Sequence, residues 1–231
     1  MDAAPGQAAV TIGLMPEAAP QRPRPAPHPS EPATLLLHGL RLKPFPDTEV
    51  LAAAVALPVP EVAGALATFA DDGLVRRLDG HVTGWTLTPA GREEGARRLA
   101  AELDASGACN AVSDAYQRFV GLNDELLSVC TAWQLRDEVV NDHTDAAYDQ
   151  QVILRLVALH DQVRPIVADL RDHLARFGGY SPRLRTALER VSAGERDWFT
   201  KPTIDSYHTV WFELHEDLLA TLGLERAKET A

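Results

Sequence analysis

The chain has 231 residues, 45% of them hydrophobic, and a formal net charge of −11. That length carries one large or two small domains, and no run of about 18 apolar residues offers a transmembrane helix. The charge excludes a global positive field for nucleic acid, so any phosphate grip has to come from a local patch. Cys109 and Cys130 lie far apart, without metal-type spacing or a disulfide framework, in keeping with a reducing cytoplasm. The start of the chain lacks a basic segment followed by an apolar core, so secretion is not expected and a cytoplasmic location is. Arginine in excess of lysine and abundant alanine suit a high-GC bacterial genome.

Residues 1–32 hold eight of the sixteen prolines, set among Ala, Gln and Arg. Such a stretch cannot bury enough apolar surface to offset chain entropy, and it reads as a disordered tail. Order is expected from Ala33. Leu35, Leu36, Leu37, Leu40 and Leu42 make a short apolar helix that Lys43-Pro44-Phe45-Pro46 must end. Asp47 suits the N-cap of a second helix, Thr48 to Ala56. A third follows from Pro60 to Asp72, with Val62, Leu66 and Phe69 as its buried stripe, Ala63 and Ala65 filling close contacts, and Gly73 as its C-terminal stop. Leu74, Val75 and Leu78 then lead into Asp79-Gly80, a strong hairpin dipeptide, and Val82, Trp85 and Leu87 return. Thr88-Pro89 opens the next helix as N-cap and first residue, and that helix runs to about Leu103.

The order helix, helix, helix, strand, strand, helix is that of a winged helix-turn-helix. Gly73-Leu74-Val75, the hairpin, and Leu87-Thr88-Pro89-Ala90-Gly91 resemble the wing and following helix of MarR-like bacterial transcription regulators. The likeness covers about residues 33–103. It implies a DNA-binding winged-helix domain, and it specifies fold better than activity.

Beyond Ala108 the pattern is all helical. Val112, Ala115, Phe119, Leu122, Leu126, Val129 and Trp133 recur at spacings of three and four, a seam that fits a bundle or a dimer. Gln134 to Asp145 reads as a polar connection. A long helix follows from Ala146 to about Phe177, which Pro165 should kink or split. Ser181-Pro182 opens another helix, and the last runs from about Ile204 to Leu222. The expected fold is therefore mainly α. A winged helix-turn-helix domain over 33–103 is followed by an α-helical bundle over 104–231, for dimerisation and effector sensing.

The DNA-reading helix of a winged helix is normally its third. Here that helix has no Arg, Lys, Asn or Gln to read base edges. Thr68 and alanine methyls remain, and Glu61, Asp71 and Asp72 repel phosphates. The candidate DNA contacts are Arg41 and Lys43 after the first helix, Thr68, Arg76 and Arg77 on the wing, and Arg92 beyond it. In the C-terminal half, His208, Trp211 and His215 share a helix face, and antiparallel packing could bring them to Asp149 and His160. Trp133 could floor a pocket beside the polar connection. For these groups the plain alternative is a core whose histidines bond nearby acids.

Nucleotide-binding, nucleophile-elbow and CxxC motifs are absent, so no enzymatic activity is expected. The functional expectation is a cytoplasmic bacterial transcription regulator, a homodimer on DNA with a small-molecule effector and no membrane partner. No cofactor is expected unless the His/Asp set holds a divalent metal. The alternatives are a winged-helix adaptor docking a partner protein and a helical metal or small-ligand sensor.

Overall fold

Thr88 and Gly91 fix how the fourth helix leaves the hairpin, and they do so through the backbone. The Thr88 hydroxyl donates to Gly73 O at 2.7 Å and accepts from Gly91 N at 3.1 Å. Thr88 N also donates to Leu74 O at 3.0 Å. A Cβ on Gly91 would stand 1.9 Å from Leu74 O, so only glycine permits this approach. The motif is thus a buckle between Gly73-Leu74, just after the third helix, and the first turn of the fourth.

The computed structural model describes residues 26–224. Helices α1 (Pro32–Leu42), α2 (Thr48–Val55) and α3 (Val59–Asp71) precede an antiparallel hairpin, β1 (Val75–Asp79) and β2 (Thr83–Leu87). Val75 pairs with Leu87 and Asp79 with Thr83. Helix α4 (Pro89–Ser106) follows. Leu36, Leu37, Leu51, Val62, Leu66, Val75 and Leu87 close a first hydrophobic cluster. The turn between α1 and α2 is sewn to the hairpin: Trp85 N donates to Pro46 O at 3.0 Å, and Trp85 Nε1 to Thr48 Oγ1 at 3.2 Å. Gly84, at φ 126°, makes this possible, since a Cβ there would lie 2.1 Å from Phe45 O.

The rest is helical apart from one small ribbon: α5 (Cys109–Val120), α6 (Asn123–Gln134), β3 (Leu135–Arg136), β4 (Val139–Val140), α7 (Ala146–His173), a 3-10 turn (Ala175–Gly179), α8 (Tyr180–Ser192), α9 (Asp197–Thr200) and α10 (Tyr207–Leu222). A second, larger cluster fills this half, built on α7 and α10 through Leu156, Leu159, Val163, Leu170, Leu214 and Leu218. Helix α4 touches both α1 and α10 and so ties the halves together. The chain is mainly helical, and no single helix among the described residues is long and apolar enough to cross a membrane.

Several expectations need correcting. Residues 1–25 lie outside the described residues, but the end of the expected tail is ordered. His28 N donates to His173 O at 2.8 Å and Ala175 N to His28 O at 2.9 Å, a parallel bridge beside Leu174. Prolines on either side hold His28 extended and leave its own N–H available. The seam from Val112 to Trp133 is two helices, broken at Gly121-Leu122. The polar connection contains the β3–β4 ribbon, whose turn residues Asp137 and Glu138 both sit at positive φ, 50° and 66°. Pro165 does not split α7, which runs unbroken for 28 residues. Pro165 and Asp161 are both exposed, so the carbonyl that loses its partner lies on the solvent side. Helix α7 stops at His173 rather than Phe177. Helix α8 starts at Tyr180, placing Ser181-Pro182 inside its first turn. Helix α10 starts at Tyr207, capped by Ser206 accepting from Thr209 N. Asp47 occupies an N-cap position but its side chain makes no cap bond. Ala63 is exposed and fills no close contact, whereas Ala65, half-buried, packs against the first cluster.

The buckle is testable against an open glycine on α3. Gly91→Ala should cost about 1–3 kcal/mol or more in equilibrium denaturation, because backbone must move. Gly64→Ala, with nothing within 4 Å of the added Cβ, should instead gain about 0.5–1 kcal/mol from helix propensity. A Gly91→Ala protein as stable as the parent would contradict the close approach.

Candidate functional site

The cations expected to grip phosphate divide into two groups. Arg76 and Arg92 are exposed, have no ion-pair partner among the described residues, and share a shallow concavity of about 550 Å³ with Leu87, Thr88 and Pro89. Arg77 is exposed and bonds only Asp79, at 3.1 Å, on its own strand. Thr68 is exposed on α3, its hydroxyl turned back to Gly64 O at 3.2 Å. Arg41 and Lys43 behave otherwise. Arg41 Nη2 bonds Glu216 Oε1 at 2.9 Å, and Lys43 Nζ bonds Glu213 Oε1 at 2.5 Å and Asp205 Oδ1 at 3.2 Å. Both are committed to the last helix and the loop before it. The reason is geometric: α1 lies against α10, so the basic end of α1 meets a row of carboxylates.

That row belongs to a larger charged network. Arg176, on the 3-10 turn, is 3% exposed. Its Nε donates to Glu102 Oε2 on α4 at 2.8 Å, its Nη1 to Asp217 Oδ1, and its Nη2 to Thr221 Oγ1 at 2.6 Å on α10. The Tyr180 hydroxyl donates to Asp217 Oδ2 at 2.8 Å. His38 Nε2 lies 3.0 Å from Asp217 Oδ1, but neither ring nitrogen makes an aligned hydrogen bond among the described residues. The Nε2 contact with Asp217 is therefore an off-axis one at ion-pair distance. One turn further out, Arg183 donates to Asp205 Oδ2 at 2.8 Å and to Glu213 Oε2 at 2.6 Å. Burial alone would raise the Asp217 carboxyl; the Arg176 guanidinium, with help from His38 and the Tyr180 hydroxyl, outweighs it and holds Asp217 well below the ordinary range. Burial chiefly pushes the Tyr180 phenol up, and the Asp217 charge adds to it, so Tyr180 stays a donor.

A cavity of about 810 Å³ opens beside this network, between α1 and α2 on one side and α8 and α10 on the other. Leu35, Leu42, Val50, Ala53, Ala54 and Val55 make one wall. Arg176, Tyr180, Arg183, Asp205, Glu213 and Asp217 make the facing one, and His38 and Lys43 reach across to it from α1 and its C-terminal end. Pro29 and Ser30 close an edge, anchored by the neighbouring His28 bridge.

The residues expected to converge as a ligand or metal site go to separate places. Asp149 accepts from Asn141 Nδ2 at 3.0 Å and lies 3.0 Å from His143 Nδ1. His160 Nδ1 sits 3.3 Å from the Tyr207 hydroxyl. His208 lies against Phe212, and His215 tilts against Phe119 at 5.6 Å. Trp211 Nε1 donates to Asn123 Oδ1 at 2.9 Å, while Trp133 stacks on Phe199 at 4.4 Å. Eleven residues of one continuous helix separate Asp149 from His160 by about 16 Å along its axis, which no neighbouring helix can bridge to a single point. Among the described residues no group of three or more His, Cys, Asp or Glu is placed to hold a metal ion. Burial lowers His160 and His208 from the ordinary histidine value, and it pushes the Cys130 thiol up to about 12, so that thiol is a core group.

Sequence reasoning missed Arg176, Asp217, Tyr180, Glu102 and His38. A signal was present. Glu213, Asp217 and Thr221 recur every four residues beside the apolar positions Val210, Leu214 and Leu218, and a polar stripe flanking a core face has to meet partners inside the protein.

Removing one partner of the buried pair should be costly. Arg176→Met strands Asp217 and Glu102 and should destabilise by about 3–5 kcal/mol in chemical denaturation. The Asp217 carboxyl titrates lower folded than unfolded. Its stabilisation is therefore complete above the unfolded value of about 4 and drains away as pH falls below it. Asp217→Asn should flatten the acid limb of the stability–pH curve; an unchanged acid limb would contradict the network.

No protein-family model, curated protein or solved structure significantly matches this chain.

Proposed function

We propose that the chain is a DNA-binding transcriptional regulator, with residues 33–103 as a winged helix-turn-helix and residues 104–231 as a helical domain for dimerisation and sensing. The observation that carries this reading is the pair of exposed, unpaired arginines, Arg76 and Arg92, flanking one concavity where the hairpin meets α4. Arg77 adds a third cation on the same strand, held only by a surface pair worth little. Contacts from these positions reach phosphate or a groove edge rather than base edges. The exposed side of α3, with Ala63, Gly64, Ala67 and Thr68 between Glu61 and Asp71, brings no cation of its own. Binding is thus backbone-dominated and salt-sensitive, and Arg41 and Lys43 are left out of it.

The bare α3 face favours a second reading, a winged-helix adaptor that docks a protein. A small, uncharged helix face permits close packing by another helix, while its flanking acids oppose phosphate. In this reading the chain still carries no enzymatic activity and needs no cofactor.

A salt titration separates the two. On duplex DNA of the chain's own upstream region, log Kd should rise with log salt at a slope of about 3 per protomer for three arginine contacts. Arg76→Ala and Arg92→Ala should each remove about one unit of slope, and Arg41→Ala should leave the slope unchanged. Absence of binding at about 50 mM salt, or indifference to both wing variants, would reject the DNA reading and leave the adaptor.

A further inference from the structure

We infer that the cavity between α1–α2 and α8–α10 is a binding site for an uncharged, mainly apolar small molecule. Its volume of about 810 Å³ lies within the span of small-molecule sites, roughly 300–1,000 Å³. The cavity is partly open to solvent and lies at the seam between the two hydrophobic clusters. Leu35 and Leu42 of α1 with Val50, Ala53, Ala54 and Val55 of α2 supply its apolar surface.

The facing wall decides the charge. Lys43, Arg176 and Arg183 line it, and each already bonds carboxylates: Asp205 and Glu213 for Lys43 and Arg183, Asp217 and Glu102 for Arg176. An incoming anion meets three lining carboxylates and no unpaired cation. It would have to break a buried pair to be neutralised, which is costly.

A ligand held here touches α1 and α2 on one side and α8 and α10 on the other, so it bridges both hydrophobic clusters. What that does to DNA affinity rests on the proposed regulator function. The site itself does not, and it can be tested with no DNA present.

Two probes share one apolar skeleton and differ in charge: N-phenyl-1-naphthylamine is neutral, and 8-anilinonaphthalene-1-sulfonate carries a sulfonate. Fluorescence titration of the full chain should show a saturable site for the neutral probe and at least about tenfold weaker binding of the sulfonate. Ala54→Trp fills the cavity from an exposed helix position and should weaken the neutral probe at least about tenfold with helix content unchanged; Val50→Trp gives the same reading should the first variant not fold. Val139→Ser/Val140→Ser removes the most exposed apolar side chains elsewhere and should leave binding intact. No binding of the neutral probe overturns the inference. So does equal or tighter binding of the sulfonate, retention of binding in the filled variants, or its loss in the valine variant.

Discussion

A buried guanidinium holds this molecule's halves in register. Burying an ion costs several kcal/mol unless its hydrogen-bonding capacity is met, and Arg176 meets that demand with groups from different elements. Glu102 comes from α4, and Asp217 and Thr221 from α10. Asp217 is in turn held by Tyr180 of α8 and faces His38 of α1. None of these elements can shift without leaving a charge uncompensated in the interior. Helix α10 continues the pattern outward, with Glu213 and Glu216 meeting Lys43 and Arg41. The contact between α1 and α10 is therefore ionic where the two flanking clusters are hydrophobic.

This arrangement constrains the proposed DNA face. The basic end of α1 is used for assembly, and on α4 both Arg97 and Arg98 bond Glu94. Within residues 33–103, the two cations without an ion-pair partner among the described residues, Arg76 and Arg92, lie where the hairpin meets α4. With no cation on the third helix and the basic end of the first facing inward, the proposed DNA face has only the hairpin and the start of α4 for phosphate. That is a narrower electrostatic footprint than a sequence count of basic residues suggests, because a count ignores which cations already have carboxylates.

The cavity follows from the same seam. On one side α2 offers alanines and valines; on the other α8 and α10 offer long charged side chains engaged with one another. Surfaces so unlike do not interdigitate, and the charged wall cannot relax inward without breaking its pairs. The bridge at His28 brings Pro29 and Ser30 over one edge, so a segment whose composition reads as a tail helps shape the wall of the proposed site.

Elements whose causes are local can be read from the chain alone. Three short helices, the Asp79-Gly80 hairpin, the Thr88 cap and the Gly73 stop were legible because propensity, turn chemistry and capping act over a few residues. The apolar seam of α5 and α6, Val112 to Trp133, was legible by periodicity. Tertiary structure decided the rest. The sequence does not reveal that Arg41 and Lys43 face α10, that Arg176 would find Asp217 forty-one residues away, or that Asp149 and His160 would serve different neighbours. Ion pairs and cavities depend on which faces meet across long chain separations, and such pairings leave no period in the chain. The polar stripe of Glu213, Asp217 and Thr221 announced that partners were needed; only the packing of α1, α4, α8 and the 3-10 turn against α10 named them.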